Sequence, residues 1–391
     1  MKKPLYHQNI PSMYRYIFLA QLFFDRSLWV IFLTQKQFSM TDIGIVEALL
    51  HLSIVIFEIP TGILCDRFGR KRSLLIGNGL SIVYAILMLA TDQIVFIGLA
   101  LMSLGLGITF QSGAEEALLY DSLKETGKES HYTKVFGIFS MLGLISLSAA
   151  QLIGGFLAEF SFTYVYVGIM IVHLLAFLPL LAIKEPKKII QTTEKSEAWH
   201  YQLTESVKIW RRYHTMHVPV IVYMLLSTAT VIIIFYAQSY FKALGYSTPM
   251  IGFIFAVEGL LGALVVKYVY LIEAKFSFIK INRLIYFIYL VLFIVFIYST
   301  HGLLIISFLL LSQAFTVLQP MFSNFIQHKL ESSFRATFFS MVGAVESLMI
   351  MIAFPLFGWF IDRLGFHVSF LGLFIILTGT FIPLLLVKQQ K

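Results

Sequence analysis

Ionisable side chains inside long apolar segments are the residues of this chain whose types and spacing could do chemistry. Asp25 and Arg26 lie midway along the first segment, and Glu47, His51 and Glu58 lie in the second. A charged group in hydrocarbon costs about 2.5–3.5 kcal/mol, so each is a candidate for binding a proton or a polar solute. At about 100° per residue the second-segment trio shares one helical stripe, which must face protein or water.

Four more carboxylates stand in later apolar segments, namely Glu115 and Glu116 in the fourth, Glu258 in the eighth and Glu346 in the eleventh. Taken singly, each acid could be a structural partner of a neighbour such as Arg26. Together with the three acids above they make seven carboxylates against one arginine, so internal pairing cannot neutralise them all. We therefore centre a coupling site on Glu116 and Asp25, where protonation and binding of a cation would compete.

Neutral hydrogen-bonding side chains predominate in the second half of the chain. They are Tyr236, Gln238 and Tyr240 in the seventh segment and Gln313, Gln319, Asn324 and Gln327 in the tenth. As the lining of a cavity that also holds carboxylates, they suit a lipophilic or cationic organic solute. An organic anion would call for several cations instead.

The composition is that of a membrane protein. Of 391 residues, 58% are hydrophobic and 13% are charged, and a soluble fold of this length could not bury so much apolar surface. The single cysteine, Cys65, excludes a disulfide framework and a multi-cysteine metal site. No cleavable signal peptide is expected, because the first apolar run is too long for one.

A membrane-crossing helix needs about 20 mostly apolar residues, and this length divides the chain into twelve segments. They are 13–35, 42–65, 73–91, 94–121, 133–158, 162–183, 216–241, 249–272, 281–299, 302–328, 336–361 and 366–387. We therefore expect an all-α polytopic membrane protein with twelve transmembrane helices. A six-helix half at 1–183 and another at 216–391 would be joined by a cytoplasmic linker at 184–215.

The linker has a pattern of its own. Trp199, Leu203, Val207 and Trp210 recur at helical spacing opposite charged residues. This predicts an amphipathic helix lying on the membrane surface, with a disordered tether as the alternative.

The distribution of positive charge predicts cytoplasmic N- and C-termini. About 25 of the 29 Lys and Arg residues then fall on inner segments, whereas the outer loops hold only Lys36, Lys242 and Arg363. The net charge of +8 is explained by this orientation, so no nucleic-acid partner is implied.

The two predicted halves also share short sequences. F-S-M-L-G at 139–143 recurs as F-S-M-V-G at 339–343, and the Ile43-Gly44 pair that enters the second segment recurs as Ile251-Gly252 at the eighth. Related halves are typical of transporters that rock around a central site.

The loop between the second and third segments, G-I-L-C-D-R-F-G-R-K-R-S at 62–73, combines glycines, an acid and four cations. Gly62 would allow close helix contact, and Gly69 a turn that other residues resist. The pattern resembles, almost letter for letter, the same loop of the major facilitator superfamily of secondary transporters. F-E-I-P-T-G just before it, and S-G-A-E-E-A-L-L-Y-D-S-L in the fourth segment, resemble bacterial efflux members of that family.

The resemblance implies a latch at the inner, cytoplasmic gate that closes in one state and breaks in the other. Its residues would be Gly62, Asp66, Arg67, Gly69, Arg70 and Lys71, with Asp121 as the partner of Arg70. Asp66 would meet a helix N-terminus near Ser332 and Ser333, where the dipole favours an anion. The alternative is that the cations only set orientation and the glycines only set the turn.

Two departures from the family pattern leave the direction of transport open. The G-P-x-x-G-G run of antiporters is replaced by A-Q-L-I-G-G at 150–155, which lacks the proline. The arginine of the fourth-helix R-x-x-x-G motif is replaced by Ser103, four residues before Gly107. Arg26 could take over the electrostatic role of that arginine.

No enzyme signature is present: the chain has no phosphate-binding G-x-x-x-x-G-K-[ST] loop and no zinc-protease spacing. We expect a non-enzymatic, cofactor-free secondary transporter, a monomer in the plasma membrane, here a bacterial inner membrane. The leading hypothesis is proton-coupled efflux of lipophilic or cationic small molecules. The alternatives are uptake of a small neutral nutrient, a lipid flippase, and a membrane receptor that does not transport.

Overall fold

The computed structural model describes residues 5–186, 208, 210–273 and 275–386. These residues are helical almost throughout and include no β-strand. The helices are α1 Leu5–Ala20, α2 Trp29–Gln35, α3 Met40–Phe68, α4 Arg70–Ala90, α5 Ile94–Lys124, α6 Tyr132–Phe160, α7 Phe162–Ala182, α8 His217–Ala243, α9 Thr248–Glu273, α10 Phe278–Tyr298, α11 His301–Lys329 and α12 Ser332–Leu386. Single 3₁₀ turns precede α6 and α8.

Ten helical stretches of the described residues are long and apolar enough to cross a membrane. The all-helical membrane fold expected from the sequence is therefore present. The count of twelve crossings and the cytoplasmic placement of both termini stay predictions.

The first predicted crossing, 13–35, is not one helix. The helix α1 ends at Ala20, α2 begins at Trp29, and the chain between them forms turns. In these turns the carbonyl of Asp25 accepts hydrogen bonds from the N–H groups of Leu28 and Trp29, at 2.7 and 2.8 Å. The expectation that Asp25 and Arg26 lie within a continuous helix is therefore wrong: they lie in a break of the helix.

Near the C-terminus, the segments predicted at 336–361 and 366–387 form one long helical element, α12. At Gly365 its backbone leaves helical geometry, with φ +77° and ψ 168°. An L side chain rarely adopts a positive φ, so glycine is the residue that permits this break. The predicted boundary between the two segments is therefore a real interruption.

The basic loop is shorter than the sequence suggests. The helix α3 continues to Phe68 and α4 starts at Arg70, so a single residue, Gly69, joins them. Its φ of +101° is the left-handed turn that we expected of a glycine here. The cations that follow it form the first turn of α4.

The chain forms two compact units, Met1–Ile189 with Gln238–Leu260, and Ile190–Ala237 with Leu261–Lys391. The division into halves at 1–183 and 216–391 stays a prediction. Most of the predicted amphipathic linker helix, with Trp199, Leu203 and Val207, lies outside the described residues. Trp210 is described, and its indole stacks on the His217 ring with centroids 4.0 Å apart.

Each unit has its own core. In the first unit, buried residues of α1 such as Met13 and Tyr16 pack with Leu118 and Leu119 of α5. Glycines allow α4 and α5 to approach closely, because a Cβ on Gly77 would lie 2.8 Å from the carbonyl oxygen of Gly107. The second unit has a core of aromatic rings on α10, α11 and α12.

Candidate transport site and inner gate

Asp25, in the break between α1 and α2, lies in the interior of the first unit. Its side chain is 1% exposed. One carboxyl oxygen accepts a short hydrogen bond from the Tyr84 hydroxyl of α4, and the ring of Tyr166 from α7 lies beside Tyr84, with centroids 6.3 Å apart. The other oxygen, Oδ1, is buried and makes no hydrogen bond to a described residue. Asp25 is therefore buried beside two tyrosines, Tyr84 of α4 and Tyr166 of α7.

The backbone around the break is held by residues far away in the sequence. The side-chain oxygen of Gln238, in α8, accepts a hydrogen bond from the N–H of Val30 at 3.3 Å, and its nitrogen donates to the Arg26 carbonyl at 3.4 Å. Gly154 of α6 packs so closely that an added Cβ would lie 1.8 Å from the Phe24 carbonyl oxygen. Within a membrane, a helix can break only where neighbours satisfy its freed backbone groups. Gln238 does this here.

Arg26, Glu47 and His51 form a second group, which we call the charged cluster. The Nε2 atom of His51 lies 3.7 Å from a carboxylate oxygen of Glu47. The Arg26 guanidinium acts electrostatically on both of them and lies over the Phe23 ring, 5.3 Å from its centroid. The Glu47 and His51 side chains are 13% and 20% exposed. The cluster thus combines a cation, an acid and an imidazole, with the acid and the imidazole slightly farther apart than a hydrogen bond.

The structure does not bring Asp25 and Glu116 together, contrary to our expectation. The charged side chain that acts on Asp25 is Arg26. Glu116 is exposed, and the groups it affects are Glu115 and Tyr132. The two acids therefore have different surroundings, and a coupling site centred on both stays a prediction.

The other acids take different positions. Glu115 is half-buried and acts on the buried Tyr16 hydroxyl of α1, so Glu115, rather than Glu116, is the acid of α5 directed toward α1. Glu58 is exposed, although it shares a stripe with Glu47 and His51. Glu258 is half-buried in α9.

In the second unit, Glu346 is half-buried on α12 beside Ser227 and Tyr223 of α8. Its Oε1 atom is buried and makes no hydrogen bond to a described residue. The Tyr223 ring stacks on Phe322 of α11, with centroids 3.8 Å apart and planes 5° from parallel. The carboxylate therefore lies next to a stack of aromatic rings.

The neutral residues expected to line a cavity are mostly buried. Tyr236 is fully buried and its hydroxyl donates to the Phe354 carbonyl at 2.8 Å, and Gln238 supports the helix break. Tyr240 and Gln313 are each 7% exposed. Gln319 and Gln327 are exposed. Tyr236 and Gln238 use polar atoms in packing between helices here, and their cavity-lining role stays a prediction.

At the end of the first unit that the predicted orientation places in the cytoplasm, which we call its inner end, Arg70 and Asp121 form the pair expected from the resemblance. The Nη1 atom of Arg70 lies 3.1 Å from Oδ2 of Asp121. Gly62 does not make the close helix contact expected of it in this structure, since a Cβ placed on it would meet no atom within 4 Å. Asp66 is exposed at the end of α3. Its contact near Ser332 and Ser333 stays a prediction, because those two side chains lie outside the described residues.

A third member of this inner end, Glu185, was missed. Its two carboxylate oxygens accept hydrogen bonds from the backbone N–H groups of Arg70 and Lys71, at 2.7 and 2.9 Å. In return, the Lys71 ammonium donates to the carbonyls of Leu181 and Ile183, both at 2.7 Å. An anion thus sits at the N-terminus of α4 and a cation at the C-terminus of α7, as their dipoles favour. The sequence did offer a signal for this residue, because Glu185 is an acid that follows shortly after the sixth predicted segment.

The end of α7 is also tied to α1. The Asn9 side chain exchanges two hydrogen bonds with the backbone of Lys184, at 2.8 and 3.0 Å, and donates to the Ser122 hydroxyl at 2.9 Å. Gln8 donates to the Ala182 carbonyl at 2.7 Å. Residues 182–185 are therefore attached to the inner ends of α1, α4 and α5.

The inner end of the second unit uses other groups. The Asn324 amide donates to the Glu273 carboxylate at 2.5 Å, so Asn324 joins α11 to α9. Arg212 forms an exposed ion pair with Glu331 at 2.9 Å, and its guanidinium lies over the Phe334 ring.

Long apolar helices, a buried acid in a break between two helices, and charged groups between helices are features of helical membrane proteins of the secondary-transporter class. The chain belongs to the Major Facilitator Superfamily, whose family model matches residues 17–353. Members of this family are generally non-enzymatic membrane transporters of small molecules, and the ten long apolar helices of the described residues fit that class.

Two relatives are similar over part of the chain. An uncharacterized MFS-type transporter, YxaM, of Bacillus subtilis is 24% identical over 59% of this chain and 58% of its own. An uncharacterized transporter of Buchnera aphidicola is 28% identical over 32% of this chain and 31% of its own. The matched regions thus span about half and about a third of these relatives.

Solved structures match the fold over nearly its whole length. The nucleoside transporter NupG is 14% identical with a TM-score of 0.80, and both chains are fully covered. A D-xylose-proton symporter is 15% identical with a TM-score of 0.71, over 97% of this chain and 96% of its own. At such identities the likeness shows the fold alone.

Proposed function

We propose that this transporter is coupled to protons and that the charged cluster of Arg26, Glu47 and His51 carries the coupling proton. The observation that supports this most is the contact between the Glu47 carboxylate and the His51 imidazole beside Arg26, next to the helix break. Broken helices at ion or solute sites recur in secondary transporters. The proposal replaces the site centred on Asp25 and Glu116.

The coupling would act through a change in charge pairing. When Glu47 is ionised, it attracts Arg26; when Glu47 takes up a proton, this attraction is lost. The two charges are not within ion-pair distance of each other, so they interact through the low-dielectric interior, where even separated charges shift a two-state equilibrium. Protonation on one side of the membrane would then favour one state of the transporter over the other.

For the solute we propose lipophilic or cationic organic compounds, moved outward in exchange for protons across a bacterial inner membrane. The support is Glu346, whose Oε1 atom makes no hydrogen bond to a described residue, together with the stacked Tyr223 and Phe322 rings. An aromatic face and a carboxylate together suit an organic cation. A second candidate is uptake of a neutral nutrient with protons, which the D-xylose-proton symporter's fold and the missing fifth-segment proline favour.

We also propose twelve crossings with both termini in the cytoplasm and a functional monomer. The broken α1–α2 pair would form the first crossing, and the two parts of α12 would form the last two. Protease protection of a C-terminal epitope tag in spheroplasts tests the orientation. Cleavage of the tag by protease added outside would contradict it.

Transport in proteoliposomes with an imposed pH gradient tests the coupling and its direction. An antiporter accumulates solute on the acidic side, because protons leave as solute enters, whereas a symporter accumulates it on the alkaline side. We expect accumulation of organic cations in an acidic lumen by the wild type. Glu47→Gln should lower this uphill accumulation at least tenfold and leave downhill exchange of solute measurable.

The matched control is Glu58→Gln, which removes the same charge from the same stripe of α3 at an exposed position. It should accumulate solute like the wild type. Uphill accumulation that survives in Glu47→Gln and in His51→Gln would contradict the role of the cluster. Accumulation of neutral sugars or nucleosides in an alkaline lumen would replace efflux by symport.

A further inference from the structure

An apolar groove on the surface of the first unit runs between α1, α6 and α7. Its walls are built mainly by Phe18, Leu142, Leu175, Leu178 and Pro179, and Arg15 is the one charged residue among those that line it. The apolar side chains are open to the surroundings: Phe18 is 40% exposed, Leu175 45% and Leu178 65%. In a membrane protein such a surface faces lipid.

Arg15 is the feature of the groove that an ordinary lipid-facing surface does not explain. Its side chain is exposed and makes no ion pair or hydrogen bond with any residue that the structure describes. It lies six residues after Asn9, about 9 Å farther along α1, and Asn9 is tied to the inner end of α7. Arg15 is therefore set back from the helix ends, among apolar side chains.

A guanidinium in these surroundings requires an anionic partner, because an unpaired charge within the membrane is costly. A phosphate is the group that arginine binds best, through paired charge-assisted hydrogen bonds. Lipid phosphates lie at the depth of the membrane interface, and an arginine can extend its side chain toward them. The inner leaflet, where our orientation places Arg15, is rich in anionic lipids.

We propose that the groove binds one anionic glycerophospholipid. Its phosphate pairs with Arg15, and one acyl chain lies along Leu142, Leu175 and Leu178. A transported solute is a poor occupant, because the lining offers few polar groups to orient it. The site is separate from the charged cluster and does not rest on proton coupling, although it uses the orientation proposed above.

Bound lipid has a structural consequence, since it contacts three helices of one unit. Tyr14 already joins α1 to α6 beside the groove, through a hydrogen bond from its hydroxyl to the Val135 carbonyl at 3.2 Å. A phosphate on Arg15 and a chain on α7 extend this connection to the third helix. The lipid should therefore raise the thermal stability of the protein.

Native mass spectrometry of the full-length, delipidated protein with phosphatidylglycerol or phosphatidylcholine of matched chains tests the proposal. We expect the wild type to retain one phosphatidylglycerol in clear preference to phosphatidylcholine and to melt a few degrees higher with it. Arg15→Gln should lose the preference and the shift. Arg15→Lys keeps the charge but loses the paired hydrogen-bond donors of the guanidinium, so it should keep part of the lipid preference and part of the thermal shift.

The control is Lys134→Gln, an exposed cation in the first turn of α6 that does not line the groove. It should bind lipid like the wild type. Leu178→Trp keeps every charge but fills the groove, and it should lower retention of phosphatidylglycerol several-fold. Equal retention of the two lipids by the wild type would overturn the proposal, as would unchanged retention in Arg15→Gln and Leu178→Trp. If the wild type were a dimer and Leu178→Trp a monomer, the groove would bind a second copy of the chain, and the lipid proposal would be overturned.

Discussion

The ends of α3 and α9, which the predicted orientation places on the cytoplasmic side, are held with different chemistry in the two units. Both α3 and α9 carry an acid in their last turn, Asp66 and Glu273. In the first unit a full ion pair, Arg70 with Asp121, and the Glu185 carboxylate hold the helix ends. In the second, the acid accepts a hydrogen bond from the neutral Asn324 amide.

The connection between helices differs in the same way. In the first unit a single glycine, Gly69, turns the chain from α3 into α4, and a Cβ there would lie 3.0 Å from the Glu185 carboxylate. In the second unit α10 begins at Phe278 after Ser277, which has a φ of −69° that any residue adopts. The first turn admits one residue type, and the second admits many.

This difference indicates where the energy of an inner gate would be concentrated. A charge-assisted hydrogen bond is roughly twice as strong as a neutral one. The related halves would share a helical scaffold, whereas the tight turn and a largely buried ion pair belong to the first. The ion pair of the second unit, Arg212 with Glu331, is exposed and contributes little. Substitutions in the first unit should therefore affect transport more than matched substitutions in the second.

The largest effect should come from the ion pair. Arg70→Ala should lower the transport rate about tenfold at equal expression, because loss of one charge-assisted contact of about 1.5–3 kcal/mol shifts a two-state gate substantially. Asp66→Asn should act similarly through its own predicted contact. Solute flux in proteoliposomes measures both.

Arg72→Ala is the control for this effect, since Arg72 is an exposed cation two residues farther along α4. It should transport nearly normally. If Arg72→Ala loses as much activity as Arg70→Ala, the loop acts only as a positive-charge signal for orientation.

A smaller effect is expected from Glu185→Ala. An anion at a helix N-terminus contributes about 0.3–1 kcal/mol, so the transport rate should fall about twofold to fivefold. The α3–α4 turn should also loosen. Labelling of Cys65 measures this loosening directly. Cys65 is the single cysteine, its side chain is 8% exposed, and it lies in the last turn of α3 before Gly69. Its rate of labelling by a maleimide should rise in the variant.

Glu129→Ala provides the comparison, as it removes an exposed acid from the turn before α6. Its labelling rate and flux should match the wild type. Labelling of Cys65 that is the same in all three proteins would show that Glu185 does not hold the turn.

Much of this architecture could be predicted from the sequence, because it depends on residues that are close together in the chain. The lengths of the apolar segments predicted the ends of most of the long helices to within a few residues, and Gly69 predicted the turn between α3 and α4. The resemblance also supplied the pairing of Arg70 with Asp121. These features depend on residues near each other in the chain or on a motif.

The break between α1 and α2 could not be predicted, because residues 21–28 include neither glycine nor proline. What permits it comes from elsewhere: the Gln238 amide and the missing side chain of Gly154. The different surroundings of Asp25 and Glu116 could not be predicted for the same reason, since helical spacing gives the face of a residue but not the neighbour that covers it. Glu185 acts on a turn more than 100 residues earlier.

The smallest effect should come from the second unit. Asn324→Ala removes a neutral donor from Glu273, and both groups lie near the inner end, where water can replace the lost hydrogen bond. Transport should fall by no more than about twofold, because a neutral hydrogen bond contributes about 1 kcal/mol. Initial rates of flux, measured beside Arg70→Ala at the same expression, give the ratio between the two units.

Asn324→Asp sharpens the same comparison. It replaces the donor by a second carboxylate at a position where the atoms are 2.5 Å apart, so two like charges would meet. Such a pair cannot ionise fully, and the variant should lose activity as the pH rises, whereas Asn324→Ala should not. Equal, large losses in Asn324→Ala and Arg70→Ala would refute the comparison, because the second unit would then contribute as much to the gate as the first.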